Sequence, residues 1–139
     1  MARKFSFDLQ RFFQALGDKT RLRLINLMGD QEICVCYFVE VLGCPQPKIS
    51  RHLAYLRSAG IVGARRDGKW IHYRIVMPPH PGAAKILRDT LDMLRQEKGM
   101  QADQARLAKA CCSSSRIPAA LEGAPLPTLV QIVPATDCC

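Results

Sequence analysis

Asp67-Gly68 stands between two runs of extended-chain residues, Ile61–Arg66 and Trp70–Val76. Asp-Gly in that setting marks a hairpin, because glycine takes up the positive φ of a tight turn at no steric cost. In the second run Ile71, Tyr73 and Ile75 alternate with Trp70, His72 and Arg74, which predicts one face turned inward and one outward. The residues before the hairpin carry a helical pattern over 46–58, where Ile49, Leu53 and Leu56 share a face. Pro47 fits the first turn, whose N–H groups have no helical partner, and Gly60 closes the segment. Gly43-Cys44-Pro45 makes a turn ahead of it, and Cys34 to Leu42 reads as a shorter helix carrying Val35, Phe38, Val39 and Leu42.

Two more helices come first. Leu9, Phe12, Phe13 and Leu16 form an amphipathic stripe that Gly17 breaks. Asp18 then caps a segment containing Leu22, Leu24, Ile25, Leu27 and Met28, ended by Gly29-Asp30. Beyond the hairpin, Pro78, Pro79 and Pro81 interrupt the chain. A long helix over 82–98 follows, with Ala83, Ile86, Leu87, Leu91 and Leu94 on one stripe; Gly99 interrupts it, and 102–110 suits a further helical segment. Short helix, tight turn, second helix and hairpin in that order make the expected fold mainly α with a two-stranded β wing, a winged helix-turn-helix. Residues 1–99 are expected to form the DNA-binding and dimerisation domain, 100–112 a helical extension with a cysteine pair, and 113–139 a flexible tail rich in Ser and Pro. Within the tail Leu129–Val133 is an apolar stretch able to dock.

Charge supports a polyanionic partner. The chain carries a net +8, and residues 44–74 set Lys48, Arg51, Arg57, Arg65, Arg66, Lys69 and Arg74 against Asp67. The helix over 46–58 is expected to enter the major groove of operator DNA, with Arg51 suited to a bidentate contact with guanine. Gln46, Lys48, Ser50, His52 and Tyr55 are its other candidates for bases or phosphates, and Arg65, Arg66 and Lys69 bring the wing to the backbone or minor groove. One such domain offers few contacts, so a homodimer on a palindrome is expected. Its interface is assigned to Leu9, Phe12 and Phe13 at one end and Ile86, Leu87, Leu91 and Leu94 at the other. No apolar run approaches the ~18 residues of a membrane span. The basic start lacks a hydrophobic signal segment, so a cytoplasmic chain without a membrane role is expected.

Seven cysteines, at 34, 36, 44, 111, 112, 138 and 139, are odd in number and clustered. With no signal segment they read as metal-binding or redox groups rather than a disulfide framework. Cys44 reads as a small hydrophobe. Cys34 and Cys36 open the third helix, where the helix N-terminus favours the thiolate, and soft thiolates select soft centres. Side chains at i and i+2 of a helix point about 200° apart. Two such thiolates sharing one ion are therefore expected to unwind that turn and distort the DNA-binding motif.

The stretches Gln46-Pro-Lys-Ile-Ser-Arg-His-Leu-Ala-Tyr-Leu-Arg-Ser-Ala-Gly-Ile-Val and Arg65-Arg-Asp-Gly-Lys-Trp-Ile-His-Tyr-Arg, with Ala15-Leu-Gly-Asp-Lys-Thr-Arg-Leu-Arg-Leu before them, resemble the ArsR/SmtB family of metal-responsive repressors over residues 8–98. The resemblance implies a dimeric repressor, not an enzyme, released from DNA by an inducer. Glu32-Ile-Cys-Val-Cys is similar to the Cys-x-Cys stretch of the family's arsenic and cadmium/lead sensors, which implies trivalent arsenic, as arsenite or an organoarsenical, with cadmium or lead as the alternative. The similar arsenite sensors carry a third cysteine three residues on, where this chain has Val39. The third thiolate then comes from Cys111-Cys112 or, less favoured, Cys138-Cys139; otherwise two suffice for a methylated or phenylated arsenical, or Cys111-Cys112 forms its own site. The family's zinc sensors use Asp and His on the long helix after the wing. Here that helix has Asp89, Asp92 and Glu97 but no His, which argues against zinc or nickel there. A thiol redox switch at Cys34 or Cys111 is a competing mechanism, and an arsenic carrier or thiol enzyme a competing class. Neither carrier nor enzyme gives the recognition helix a role, and no Cys–His nucleophile pair is evident.

Overall fold

The structure, a computed structural model, describes residues 7–112 and 123–130. In chain order the elements are α1 (Leu9–Leu16), α2 (Lys19–Met28), β1 (Gln31–Cys34), α3 (Val35–Leu42), α4 (Gln46–Ser58), β2 (Val62–Asp67), β3 (Trp70–Ile75), α5 (Pro81–Leu94), α6 (Lys98–Cys112) and β4 (Thr128–Leu129). Asp8 and Asp18 cap α1 and α2 by accepting from the Arg11 and Arg21 amides, which satisfies donors that a helix start leaves unpaired. Phe12, Leu24, Ile25, Phe38, Ile49, Leu53 and Leu56 are fully buried and join α1–α4 in one core. The architecture is the expected mainly α winged helix-turn-helix.

Several local expectations shift. The hairpin's two-residue loop is Gly68-Lys69, with Asp67 paired to Trp70. Gly68 sits at φ +61, the position a tight turn reserves for glycine, and Asp67 extends the strand instead. The wing also grows into a sheet of order β2-β3-β1-β4, because Gln31–Cys34 is a strand, and Cys34 ends it rather than opening the helix expected to start there. β3 is thus a central strand, and His72 is buried along with Tyr73 where alternation predicted an outward face.

The helix after the wing ends at Leu94 instead of running to Lys98, and Gly99 lies in the first turn of α6, where glycine costs little. The reversal over Arg95–Glu97 brings Met100 and Leu107 into the core and lays α6 against α2 and α3. Asp103 of α6 is buried and paired with Arg23 (2.7 and 2.9 Å) and with Arg106. Asn26 donates to the Met100 carbonyl at 3.1 Å, and Gln104 donates to the Asn26 carbonyl at 2.7 Å. Of the tail, 113–122 and 131–139, with Cys138 and Cys139, lie outside the described residues. Gly123–Val130 runs along β1, pairing Leu129 with Gln31 and Thr128 with Glu32.

Candidate functional site: a cysteine pair beside a DNA-binding face

Cys34 is the last residue of β1 and the cap residue of α3, with extended φ/ψ of −67° and 143°. This backbone corrects the expected geometry. Cys34 and Cys36 are not two positions of one helix pointing apart; their sulfurs lie 3.2 Å from each other, with the Cys36 thiol donating to Cys34. No helical turn has to unwind for both to reach one ion. That S–H donation, against burial, and the backbone N–H groups of Cys36, Ile71 and Val35 lower the Cys34 pKa to about 6. Its counterpart is pushed up: Cys36 keeps its proton because it is donating it, and burial and the neighbouring thiolate add to this. The pair therefore holds one proton and one negative charge near neutral pH.

Cys111 stands near the end of α6, on the wall of a cleft of about 310 Å³ lined with Gln31, Gln104, Leu107, Leu126 and Pro127. It lies within electrostatic reach of Tyr37, whose pKa is raised to about 12 by burial and by Cys111, Cys36 and Cys34. Among the described residues no three His, Cys, Asp or Glu side chains converge on one point. The Cys112 side chain is outside the described ones. Cys44 is half-buried, its sulfur 3.7 Å from the Leu42 carbonyl.

α4 presents Gln46, Lys48 and Arg51 to solvent, with Ser50 half-buried, and Arg66 and Lys69 are exposed on the wing. His52 and Tyr55 are differently employed. Arg21 Nη1 lies 3.3 Å from His52 Nδ1, and the Arg21 guanidinium stacks 4.3 Å over the Tyr55 ring. The Tyr55 hydroxyl donates to Gln14 at 3.0 Å, and Arg21 also donates to the Ala15 and Gln14 carbonyls. Arg21 thus clasps the end of α1 to α4. Burial, with the nearby Arg21, Lys48 and Arg51 charges, keeps the His52 pKa below its usual value despite Asp18, so this ring is neutral near pH 7. Arg65 is turned inward to Glu32.

Residues 18–63 match the family described as bacterial regulatory protein, arsR family. The arsenical resistance operon repressor of Escherichia coli K12 is 43% identical over 104 residues, which span 74% of this chain and 87% of that one. This chain belongs to the ArsR family. The arsenic resistance transcriptional regulator ArsR1 of Pseudomonas putida is 39% identical over 98 residues, 70% of this chain and 75% of that one. Among solved structures, HlyU from Vibrio cholerae covers 68% of this chain and 96% of its own, with a TM-score of 0.53 and 22% identity, a likeness in fold. The protein is a transcriptional repressor rather than an enzyme, as these ArsR relatives are, and among its described residues no helix is long and apolar enough to cross a membrane.

The interface expected for an ArsR dimer needs revision. Phe12, Leu87, Leu91 and Leu94 are buried within the single chain, because α5 and α1 use those positions to complete its own core. Of the expected set Leu9 (50% exposed), Phe13 (49%) and Ile86 remain outside, and Met93 (61%) joins them. Other residues of this ArsR protein whose pairing sequence reasoning passed over are Glu32, Arg21, Arg74 and Asp103. Each acts through a partner distant in sequence, and no local spacing marks it.

Proposed function

We propose that this repressor binds operator DNA as a cytoplasmic homodimer through α4 and the wing, and lets go when trivalent arsenic, as arsenite or an organoarsenical, binds Cys34 and Cys36. Cys111 or Cys112 supplies the third sulfur where one is needed. The observation that carries this reading is the 3.2 Å spacing of the two sulfurs. Metal–sulfur bonds of about 2.3 Å hold two sulfurs about 3.8 Å apart at a tetrahedral angle and about 3.3 Å apart at a right angle. The pair thus suits the narrow angles of a centre with a lone pair, such as trivalent arsenic, better than tetrahedral cadmium or zinc. On α1 and α5, Leu9, Phe13, Ile86 and Met93 are exposed apolar residues available to the dimer. Release of fluorescent operator DNA tests the reading: arsenite or phenylarsenite is expected to dissociate the complex and zinc to leave it, whereas arsenicals without effect would refute it.

The shared proton makes the ion's identity measurable. Arsenous acid gives up two hydroxides as water on bonding two sulfurs, which takes two protons. The pair supplies one, so close to one proton is taken from solvent near neutral pH. Cadmium, arriving as a bare dication, instead displaces the pair's proton into solvent. Calorimetric titration in buffers of different ionisation enthalpy is expected to show uptake for arsenite and release for cadmium. Arsenite binding with no net proton exchange would show that Cys34 is not ionised beforehand.

On the DNA side, Arg51→Ala is expected to weaken operator binding by about 1–3 kcal/mol. Arsenite binding should stay unchanged, since α4's exposed face and the cysteine pair are separate. Anisotropy titration checks the first expectation and the arsenic–thiolate absorbance the second.

A further inference from the structure

We infer that Glu32 ties the wing to the cysteine-bearing strand, and that Arg65 and Arg74 serve as internal struts rather than as DNA contacts. The Glu32 side chain is only 7% exposed, and both its oxygens are engaged. Arg65 donates to Oε1 from Nη2 (2.6 Å) and Nε (3.0 Å), and Arg74 donates to Oε2 at 3.2 Å. A carboxylate this buried is costly unless so paired. The Arg65 bonds, outweighing burial, and then those of Arg74 hold its pKa below the usual range, so the charge is retained.

The register explains the reach. Cys34 faces His72 across β1 and β3, and His72 faces Arg65 across β3 and β2. Ile33 facing Tyr73 sets Glu32 opposite Arg74. Cys34, His72 and Arg65 therefore form one cross-strand row, with Glu32 and Arg74 in the next row of the same face. Glu32 reaches diagonally over the central strand to bind the outer strand of the wing. It also stands two residues from Cys34 on the same face of the same strand, so whatever draws the Cys34 sulfur moves the Glu32 carboxylate. A shift of about 1 Å takes bonds of this length beyond hydrogen-bonding distance. The wing's orientation thus follows the occupancy of the cysteine pair.

This rests on the sensing reading above, and the test separates the two. Operator affinity of the full chain is measured with and without arsenite for wild type, Glu32→Gln and Arg65→Gln, across a salt series. Arsenite loading is followed by the arsenic–thiolate absorbance. Both variants are expected to load arsenite as wild type does, to bind operator several-fold more weakly when empty, and to lose about tenfold of the ratio between empty and loaded affinities. Arg65→Gln is further expected to keep the wild-type salt slope. A phosphate contact removed would lower that slope by about one, and such a drop would overturn the strut assignment. A wild-type release ratio in folded Glu32→Gln would overturn the tie. If Glu32→Gln does not fold, Arg65→Gln, whose side chain is 48% exposed, decides on both counts. If wild type itself ignores arsenite, the sensing reading fails, while the salt slope still decides whether Arg65 is a strut.

Discussion

Serine at position 34 or 36 is expected to leave operator binding within a few-fold of wild type and to abolish release by arsenite. Coupling is reciprocal: an ion that weakens DNA binding 100-fold does so through about 2.7 kcal/mol of differential interaction, and DNA opposes the ion equally. Removing one of two sulfurs removes the chelate on which that energy depends. The two variants should differ in a second property. Cys36→Ser keeps a hydroxyl that can donate to the Cys34 sulfur, so a thiolate persists near neutral pH. Cys34→Ser leaves Cys36 facing a neutral hydroxyl in place of the anionic sulfur that now holds its proton. Thiolate absorbance against pH separates them, and operator release in anisotropy measures the main effect. Full arsenite response in both variants would remove the pair from the sensor.

The second large effect is expected from Asp103→Ala. Asp103 is almost wholly buried, and its carboxylate holds Arg23 of α2 and Arg106 of its own helix. Breaking a fully buried pair costs about 3–5 kcal/mol. Here Arg23 and Arg106 are one-quarter and one-half exposed and can turn to water, so about 2–3 kcal/mol is the fitting expectation. For a chain of this size that corresponds to a fall in Tm of about 10 °C, read by circular dichroism. A fall of under about 2 °C would mean that α6 is held without the Asp103 pairs, by its apolar contacts and the Asn26 hydrogen bonds.

The pH dependence has a definite sign. Burial raises the Asp103 pKa, but the Arg23 and Arg106 hydrogen bonds outweigh it and leave the folded value below the usual carboxylate range. The stabilisation is therefore complete above the unfolded value near 3.9 and is lost as pH falls through the lower folded value. The variant should lack this acid-sensitive component.

Local periodicity carried most of the fold. The Ile49, Leu53 and Leu56 stripe, the Asp18 cap and the glycine at the wing tip each act within a few residues, so spacing alone reveals them. β1 was hidden because Gln31–Cys34 is only four residues long and continues into apolar Val35–Leu42, so Cys34 reads as the start of that helix. Its strand character comes from pairing with Tyr73 and His72, far along the chain. The same hidden strand explains the site. The spacing of Cys34 and Cys36 was legible, but whether their sulfurs diverge or meet depends on the backbone of Cys34, which that distant pairing sets. Apolar stripes likewise show that a face will be covered without showing by what, and so Phe12, Leu87, Leu91 and Leu94 proved to be core.

A strand of only four residues with neighbours on both sides has one more property. β1 takes β3 on one flank and the Thr128–Leu129 segment on the other, and the Val130 amide closes onto the Asp30 carbonyl at 2.8 Å. An uncovered edge offers its open amides and carbonyls to any passing chain, and proteins that leave one bare risk self-association. The late segment of this polypeptide acts as a selvedge, finishing the sheet where it would otherwise fray. A version shortened just after α6 would keep α4, the wing and the Cys34 and Cys36 sulfurs while gaining a sticky margin next to them.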